Sequence, residues 1–182
     1  ENKTIVDLGC GTSKVAGAIG VEKVPLPGVD VIADLHQIPY PFADNSFDTI
    51  HLNDVIEHLP DTIKSMEELY RLCRPEGKVH IRVINWNSSF NADDPTHLRT
   101  FSERTFTFFG MYGARSYYST AKFEVIHIEH GYNEKVRRWL RSKKLMYILS
   151  HYLNNILETL WVDLRAKKGS DDRVTKIEGD GS

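Results

Sequence analysis

With 182 residues, 41% of them hydrophobic, and 25 acidic side chains against 23 basic ones, the chain can build one core without disulfides and lacks the charge excess of a general nucleic-acid binder. Its two cysteines, Cys10 and Cys73, have no metal-like spacing and read as free thiols in a reducing compartment. No apolar run approaches the ~20 residues that cross a bilayer and no signal peptide is visible, so the cytoplasm is the expected location.

The chain starts without Met and almost directly on a strand, and an N-terminal segment ahead of it is expected. Thr4, Ile5, Val6 and Leu8 make a short apolar run that reads as a buried parallel strand. Asp7 sits where it gives out, at the edge where open α/β sheets bind ligands. In Gly9-Cys10-Gly11-Thr12 the glycines let the backbone turn sharply and approach a ligand. Nucleotide-binding dehydrogenases use a related turn, but Lys14 stands where G-x-G-x-x-G needs its third glycine. Residues 13–17 leave room for little more than one helical turn, so the first helix is shortened. Residues 18–21 form a second strand ending on Glu22, a carboxylate placed to accept both hydroxyls of a ribose. Pro25 to Gly28 is a turn, and residues 29–33 are a third strand followed by Asp34-Leu35. Two prolines make residues 38–42 an ordered loop, and residues 49–52 are a fourth strand.

Asp61 is a good N-cap for a helix in which Ile63, Met66, Leu69 and Tyr70 recur at core spacing. Residues 78–83 are a fifth strand, where Val79, Ile81 and Val83 alternate with His80 and Arg82. That polar side is an oddity in a central strand. The long polar loop over residues 85–99 contains Trp86, Phe90 and His97, which favours a functional role. Ser102 opens a capped helix, and residues 123–128 are a sixth strand. Residues 133–158 read as a helical, amphipathic insertion with a basic first half. Such a face is either a solvated side over the sheet or a contact for an anionic membrane surface. Residues 159–167 alternate as a last strand, residues 1–168 make a single domain, and residues 169–182 have the composition of a disordered tail.

Several of these stretches carry a resemblance to one family. Ile5-Val6-Asp7-Leu8-Gly9-Cys10-Gly11-Thr12 resembles the first motif of class I S-adenosylmethionine-dependent methyltransferases. The segment from Asp34 to Ile50, DLHQIPYPFADNSFDTI, is similar to the D-x-x-x-(L/I)-P-(F/Y)-x-D-x-S-F-D signature of the small-molecule branch. Val55-Ile56-Glu57-His58-Leu59 resembles its V-h-E-H-h segment. Arg74-Pro75-Glu76-Gly77 resembles its L-(K/R)-P-G-G turn, with Glu76 in place of the first glycine. DPTHLRTFSERTF, from Asp94 to Phe106, resembles a D-P-T-H-x-R-x-(F/Y)-(S/T) segment of one branch. The resemblance implies an α/β, Rossmann-like, seven-stranded and mostly parallel sheet with an antiparallel last strand and helices on both faces. It implies S-adenosylmethionine as cofactor, with Asp7, Gly9, Cys10 and Gly11 at the methionine end and Glu22 on the ribose. Asp34 and Leu35 would then meet the adenine, with Asn53 beneath the cofactor. The implied reaction is methyl transfer to a small-molecule or saccharide acceptor, with oxygen as the expected atom.

A hydroxyl acceptor must lose a proton, and His58 and His97 are the candidate bases on carboxyl-edge segments. Asp54, Glu57 and His58 are spaced i, i+3, i+4, which places them on one face of a helical turn. With His97 they form a candidate divalent-cation set. Two rival readings stand beside this one: a methyltransferase fold kept as a binding or partner subunit, and a nicotinamide-dependent oxidoreductase.

Overall fold

The computed structural model describes residues 4–110 and 116–169. Its strands are β1 (Ile5–Leu8), β2 (Ile19–Glu22), β3 (Val31–Ile32), β4 (Phe47–Asn53), β5 (Cys73–Ile84), β6 (Phe123–Tyr132) and β7 (Leu157–Ala166). They form one seven-stranded sheet in the order β3-β2-β1-β4-β5-β7-β6. The first five strands pair in parallel, and β7 lies antiparallel between β5 and β6. This is the Rossmann-like sheet expected from the motifs. Its topology brings the ends of β1, β2, β4, β5 and β6 and the start of β7 to a single edge.

One side of the sheet carries the core. Val6, Leu8, Ile50, Leu52, Val79, Ile81, Val83, Leu160, Val162 and Leu164 are fully or almost fully buried and cluster with Met66, Leu69, Leu72, Phe101 and Phe106. Each such side chain contributes roughly 1.5–3 kcal/mol by leaving water. Met66, Leu69 and Leu72 belong to α1 (Thr62–Leu72), which Asp61 caps by accepting the Lys64 amide at 3.0 Å. Four shorter helices follow: α2 (Phe90–Asp93), α3 (Glu103–Thr107), α4 (Glu134–Trp139) and α5 (Lys143–Ser150). Ser102 and Thr105 form the capping box of α3, and Asn133 caps α4 by accepting from the amides of Lys135 and Val136.

The shortening of the first helix goes to its limit, because the segment between β1 and β2 contains turns and no helix. Hydrogen bonds replace helical packing there. Both the Gly9 and Cys10 amides donate to the Val21 carbonyl, at 2.8 and 3.1 Å. Asp7 accepts the Val15 amide at 2.8 Å. β5 starts earlier than its alternation suggested and contains a bulge. Cys73 pairs with Phe47 while Lys78 pairs with Thr49, so the Arg74-Pro75-Glu76-Gly77 stretch is looped out within the strand. Glu76 takes the left-handed conformation there (φ 62), as a non-glycine at a site where the resemblance has glycine.

The polar side of β5 has a structural explanation. Strand register aligns Asp7, His51, His80, Asp163 and His127 in one row across β1, β4, β5, β7 and β6. The His51 and His80 rings stack at 4.8 Å, and His80 Nδ1 lies 2.6 Å from the Asp163 carboxylate. Of residues 133–158, expected to be helical, only α4 and α5 are; turns follow from His151 and β7 already starts at Leu157, and Trp139 is 88% exposed beyond the basic Arg137 and Arg138. The expected tail, from residue 170 onward, lies outside the described residues. Among those described, no helix is long and apolar enough to cross a membrane.

Candidate active site

The turn after β1, the ends of β2 and β3, and the segment after β4 enclose a cleft of about 220 Å³. Gly9, Glu22, Asp34 and Leu35 line it, together with Asp54, Val55 and His58. Gly9 has φ +70, and a Cβ there would collide with the Val55 side chain. The glycine is therefore required both by its conformation and by the close approach of the next segment. The Glu22 carboxylate is fixed by the Gly11 amide at 3.1 Å and the Lys23 amide at 2.7 Å. Asp34 accepts from Lys23 Nζ at 3.0 Å and from the His36 amide at 3.1 Å. The Lys23 hydrogen bond, and then the His36 amide, hold its carboxyl below the ordinary range.

Four residues expected at the cofactor stand outside the cleft walls. Asp7 is 1% exposed and fastens the turn through Val15 instead. Burial raises its carboxyl, partly offset by that amide. Cys10 is buried, Gly11 contributes its amide to Glu22, and Asn53 is exposed at the end of β4. Lys23, Ala33, His36, Val55 and Leu59 also line the cleft and were not anticipated. Each adjoins a predicted residue in sequence, Ala33 just before Asp34 and the others just after one, which was the available signal.

Beside the cleft, Glu57, His58 and His97 bring one ligand atom each to within 4.8 Å of one another. Asp54 is not with them. Only Ile56–His58 makes a 3₁₀ turn; Asp54 precedes it at φ 54, and its carboxylate pairs with Arg82 of β5. The expected i, i+3, i+4 face thus reduces to Glu57 and His58. Glu57 is fully buried, and neither carboxylate oxygen has a hydrogen-bond partner of normal geometry. Burial drives its carboxyl upward, while its own amide, His97 and the Ile84 amide act in the other direction. His97 Nδ1 is also buried without a partner.

The Asp94-Pro95-Thr96-His97 stretch anchors this group. Asp94 accepts from the Thr96 amide at 2.8 Å and its hydroxyl at 2.6 Å. Thr96 Oγ1 lies 2.9 Å from His58 Nδ1. Because the hydroxyl proton is given to Asp94, Thr96 accepts from His58 Nδ1–H. That assignment leaves Nε2 of His58 as the basic nitrogen. The amides of Leu98 and Arg99 donate to the Glu57 carbonyl at 2.8 and 3.3 Å, locking the loop to the 3₁₀ turn.

A family model described as a methyltransferase domain matches residues 1–143. The chain belongs to the methyltransferase family. This membership sets aside the nicotinamide oxidoreductase reading. Among curated relatives, phosphoethanolamine N-methyltransferase 2 of Caenorhabditis elegans is 32% identical over 97 residues, covering 42% of this chain and 22% of that protein. The ubiquinone biosynthesis O-methyltransferase of Pseudomonas paraeruginosa is 26% identical over 106 residues, covering 47% of this chain and 46% of that protein. The chain spans less than half the length of either relative. In fold, the chain resembles an S-adenosylmethionine-dependent methyltransferase from Archaeoglobus fulgidus, with TM-score 0.61 and 14% identity over 90% of this chain and 86% of that one. It also resembles the [4+2]-cyclase SpnF, with TM-score 0.58 and 13% identity over 91% and 76% of the two chains.

Proposed function

We propose that this chain transfers the methyl group of S-adenosylmethionine to a hydroxyl oxygen of a small-molecule or saccharide acceptor. The observation that carries the reading is the adjacency of two constellations through His58, which both lines the cleft and belongs to the buried cluster. In the cleft, Glu22 would accept the ribose hydroxyls, Asp34 and Leu35 would meet the adenine, and the Gly9 backbone would approach the methionine end. Asp7, Cys10 and Gly11 serve by shaping that turn. Methyl transfer from a sulfonium is an in-line displacement in which the protein mainly aligns donor and acceptor. The acceptor hydroxyl still loses a proton. His58 Nε2 would take it, with Asp94 and Thr96 fixing the ring's orientation.

Glu57, His58 and His97 also fit a divalent cation. A buried carboxylate without a partner is costly unless something positive or hydrogen-bonding neutralises it, and its neighbours are two imidazoles. When bound, such an ion would engage the one free nitrogen of His58 and would replace the imidazole as the agent of deprotonation, by lowering the pKa of a coordinated hydroxyl. Calorimetric titration of Mg²⁺ or Mn²⁺ tests this site, and no heat with either metal removes it.

The cofactor reading is tested by thermal shift. S-adenosylhomocysteine should raise the melting temperature where NAD does not, and stabilisation by NAD alone would overturn the proposal. A second reading, a fold kept for binding alone, draws support from the helix-free connection between β1 and β2. Cofactor binding without turnover across hydroxyl and amine acceptors would favour it.

A further inference from the structure

α5 presents apolar side chains on the face turned away from the protein. Met146 and Ser150, four residues apart, are buried and mark the side that packs inward. That side is fastened from several directions. Asn87 Nδ2 donates to the Ser150 carbonyl at 2.7 Å and to the Leu153 carbonyl at 3.2 Å, and the Tyr147 hydroxyl donates to Glu103 at 3.2 Å. The same side borders a cavity of about 360 Å³ beyond β5, to which five separate segments of chain contribute. The opposite face carries Leu145, Ile148 and Tyr152 at i, i+3 and i+7, all exposed, Tyr152 to 82%. The Tyr152 amide donates to the Leu149 carbonyl at 3.0 Å, so the helical turn carries this stripe past Ser150. The inner contacts fix the rotation of the helix and keep the stripe outside.

The charge around the stripe is one-sided. Residues 134–153 hold six basic side chains and a single acidic one, Glu134, in a chain whose net charge is -2. Arg137 pairs with Glu134 at 3.1 Å. Among the described residues, Lys135, Arg138, Arg141, Lys143 and Lys144 have no carboxylate partner. The other carboxylates that meet these helices or their caps are engaged on the inner side, Glu103 by Tyr147 and His130 and Glu158 by Asn133. α4 ends on the exposed Trp139, and α5 begins four residues later at Lys143, a span of at most about 14 Å. Aromatic and branched aliphatic side chains thus share one stretch of surface with uncompensated positive charge.

This combination matches an anionic bilayer. Its headgroups attract Lys and Arg, Trp and Tyr favour the headgroup level, and a helix lying in the plane buries its apolar face roughly 5–10 Å deep. A second copy of the chain fits worse, because a two-fold interface would set this basic surface against itself. Nucleic acid would use the charges and the aromatic rings but leave Leu145 and Ile148 facing water. We infer that the outer face of α5, with Trp139 and the basic side chains from Arg138 to Lys144, docks the protein on an anionic lipid surface. This surface stands apart from the methyl-transfer reading and uses none of its residues. Because a helix is roughly 10 Å across, docking brings the bilayer that close to the cavity on its inner side.

Co-sedimentation of the full chain with vesicles tests the inference. Vesicles of equimolar phosphatidylcholine and phosphatidylglycerol should bind about tenfold more tightly than phosphatidylcholine alone, and the difference should shrink as salt rises. Trp139→Ala with Tyr152→Ala, and separately Arg138→Glu with Lys143→Glu, should each weaken binding about tenfold. All four side chains are exposed, so the melting temperature should hold; where one pair unfolds the protein, the other pair and the salt dependence decide. Equal binding to both kinds of vesicle, binding to neither, or binding indifferent to the substitutions would overturn the inference. So would tighter binding to polyuridylate than to the anionic vesicles, or a dimer in sedimentation equilibrium that Trp139→Ala with Tyr152→Ala dissociates.

Discussion

Glu57 illustrates how a residue suited to chemistry can burden the fold that carries it. Its carboxylate is fully buried with no hydrogen-bond partner of normal geometry, burial raises its pKa against the pull of His97 and two amides, and holding a charge there is destabilising. Glu57→Gln keeps the shape and removes the charge. The variant should melt above the wild type, by about 2–4 °C for each kcal/mol recovered, while losing cation binding and turnover. Scanning calorimetry with a metal titration checks both outcomes, and a lower melting temperature would mean that the carboxylate stabilises the fold. Thr96 makes the complementary case, touching His58 without being placed to touch an acceptor. Thr96→Val removes the hydroxyl that fixes the imidazole's tautomer. It should lower kcat by about tenfold to a hundredfold with little change in S-adenosylhomocysteine affinity, and Thr96→Ser should restore most of the rate. A loss of cofactor affinity equal to the loss of rate would show a structural role instead.

At the scale of strands and turns, the local features were legible and the long-range partners were not. The strands could be placed because apolar runs and Gly or Pro turns are local signals. The walls of the cleft were legible for the same reason, since Gly9, Glu22 and Asp34 lie at strand ends that the sequence marks. Asp54 was assigned to the wrong company because its partner, Arg82, lies on another strand. The link from Thr96 to His58 is equally non-local, so Asp94-Pro95-Thr96-His97 was visible only as a resemblance. The polar side of β5 registered as an anomaly, and register pairing turns it into the row from Asp7 to His127. That row predicts a pH effect. Burial, and next the charge of His80, hold His51 below its ordinary value of 6.5, with Asp7 and Asp163 opposing. The unfolded chain therefore takes up this proton first as pH falls. Stability should decline from about pH 6.5 down to the depressed folded value and change no further below it from this group. Urea midpoints between about pH 7 and 5.5 should fall less steeply for His51→Gln than for the wild type. Parallel slopes would exclude His51 as the source.

For the molecule as a whole, the consequential feature is that one sheet edge collects sites which the sequence scatters over the chain. The cavity beyond β5 draws on five segments and could not be read before the strands were ordered. The cleft and the cluster share His58, so ligands at the two places should be thermodynamically coupled, each changing the other's affinity by the same factor. The sign follows from charge. S-adenosylmethionine carries a positive sulfonium and S-adenosylhomocysteine a neutral thioether. A divalent cation held partly by a cleft residue therefore opposes the former relative to the latter, whatever the detailed pose. Even in a medium as polar as water, a doubly charged ion about 10 Å from a unit charge interacts by ~0.8 kcal/mol, a factor of about four. Calorimetric affinities of both compounds at low salt, with and without Mg²⁺, should show the ion weakening S-adenosylmethionine several-fold more than S-adenosylhomocysteine. The difference should shrink as salt screens the charges and vanish in Glu57→Gln. Equal effects on both compounds would mean that the cation acts through the shape of the cleft and not through its field.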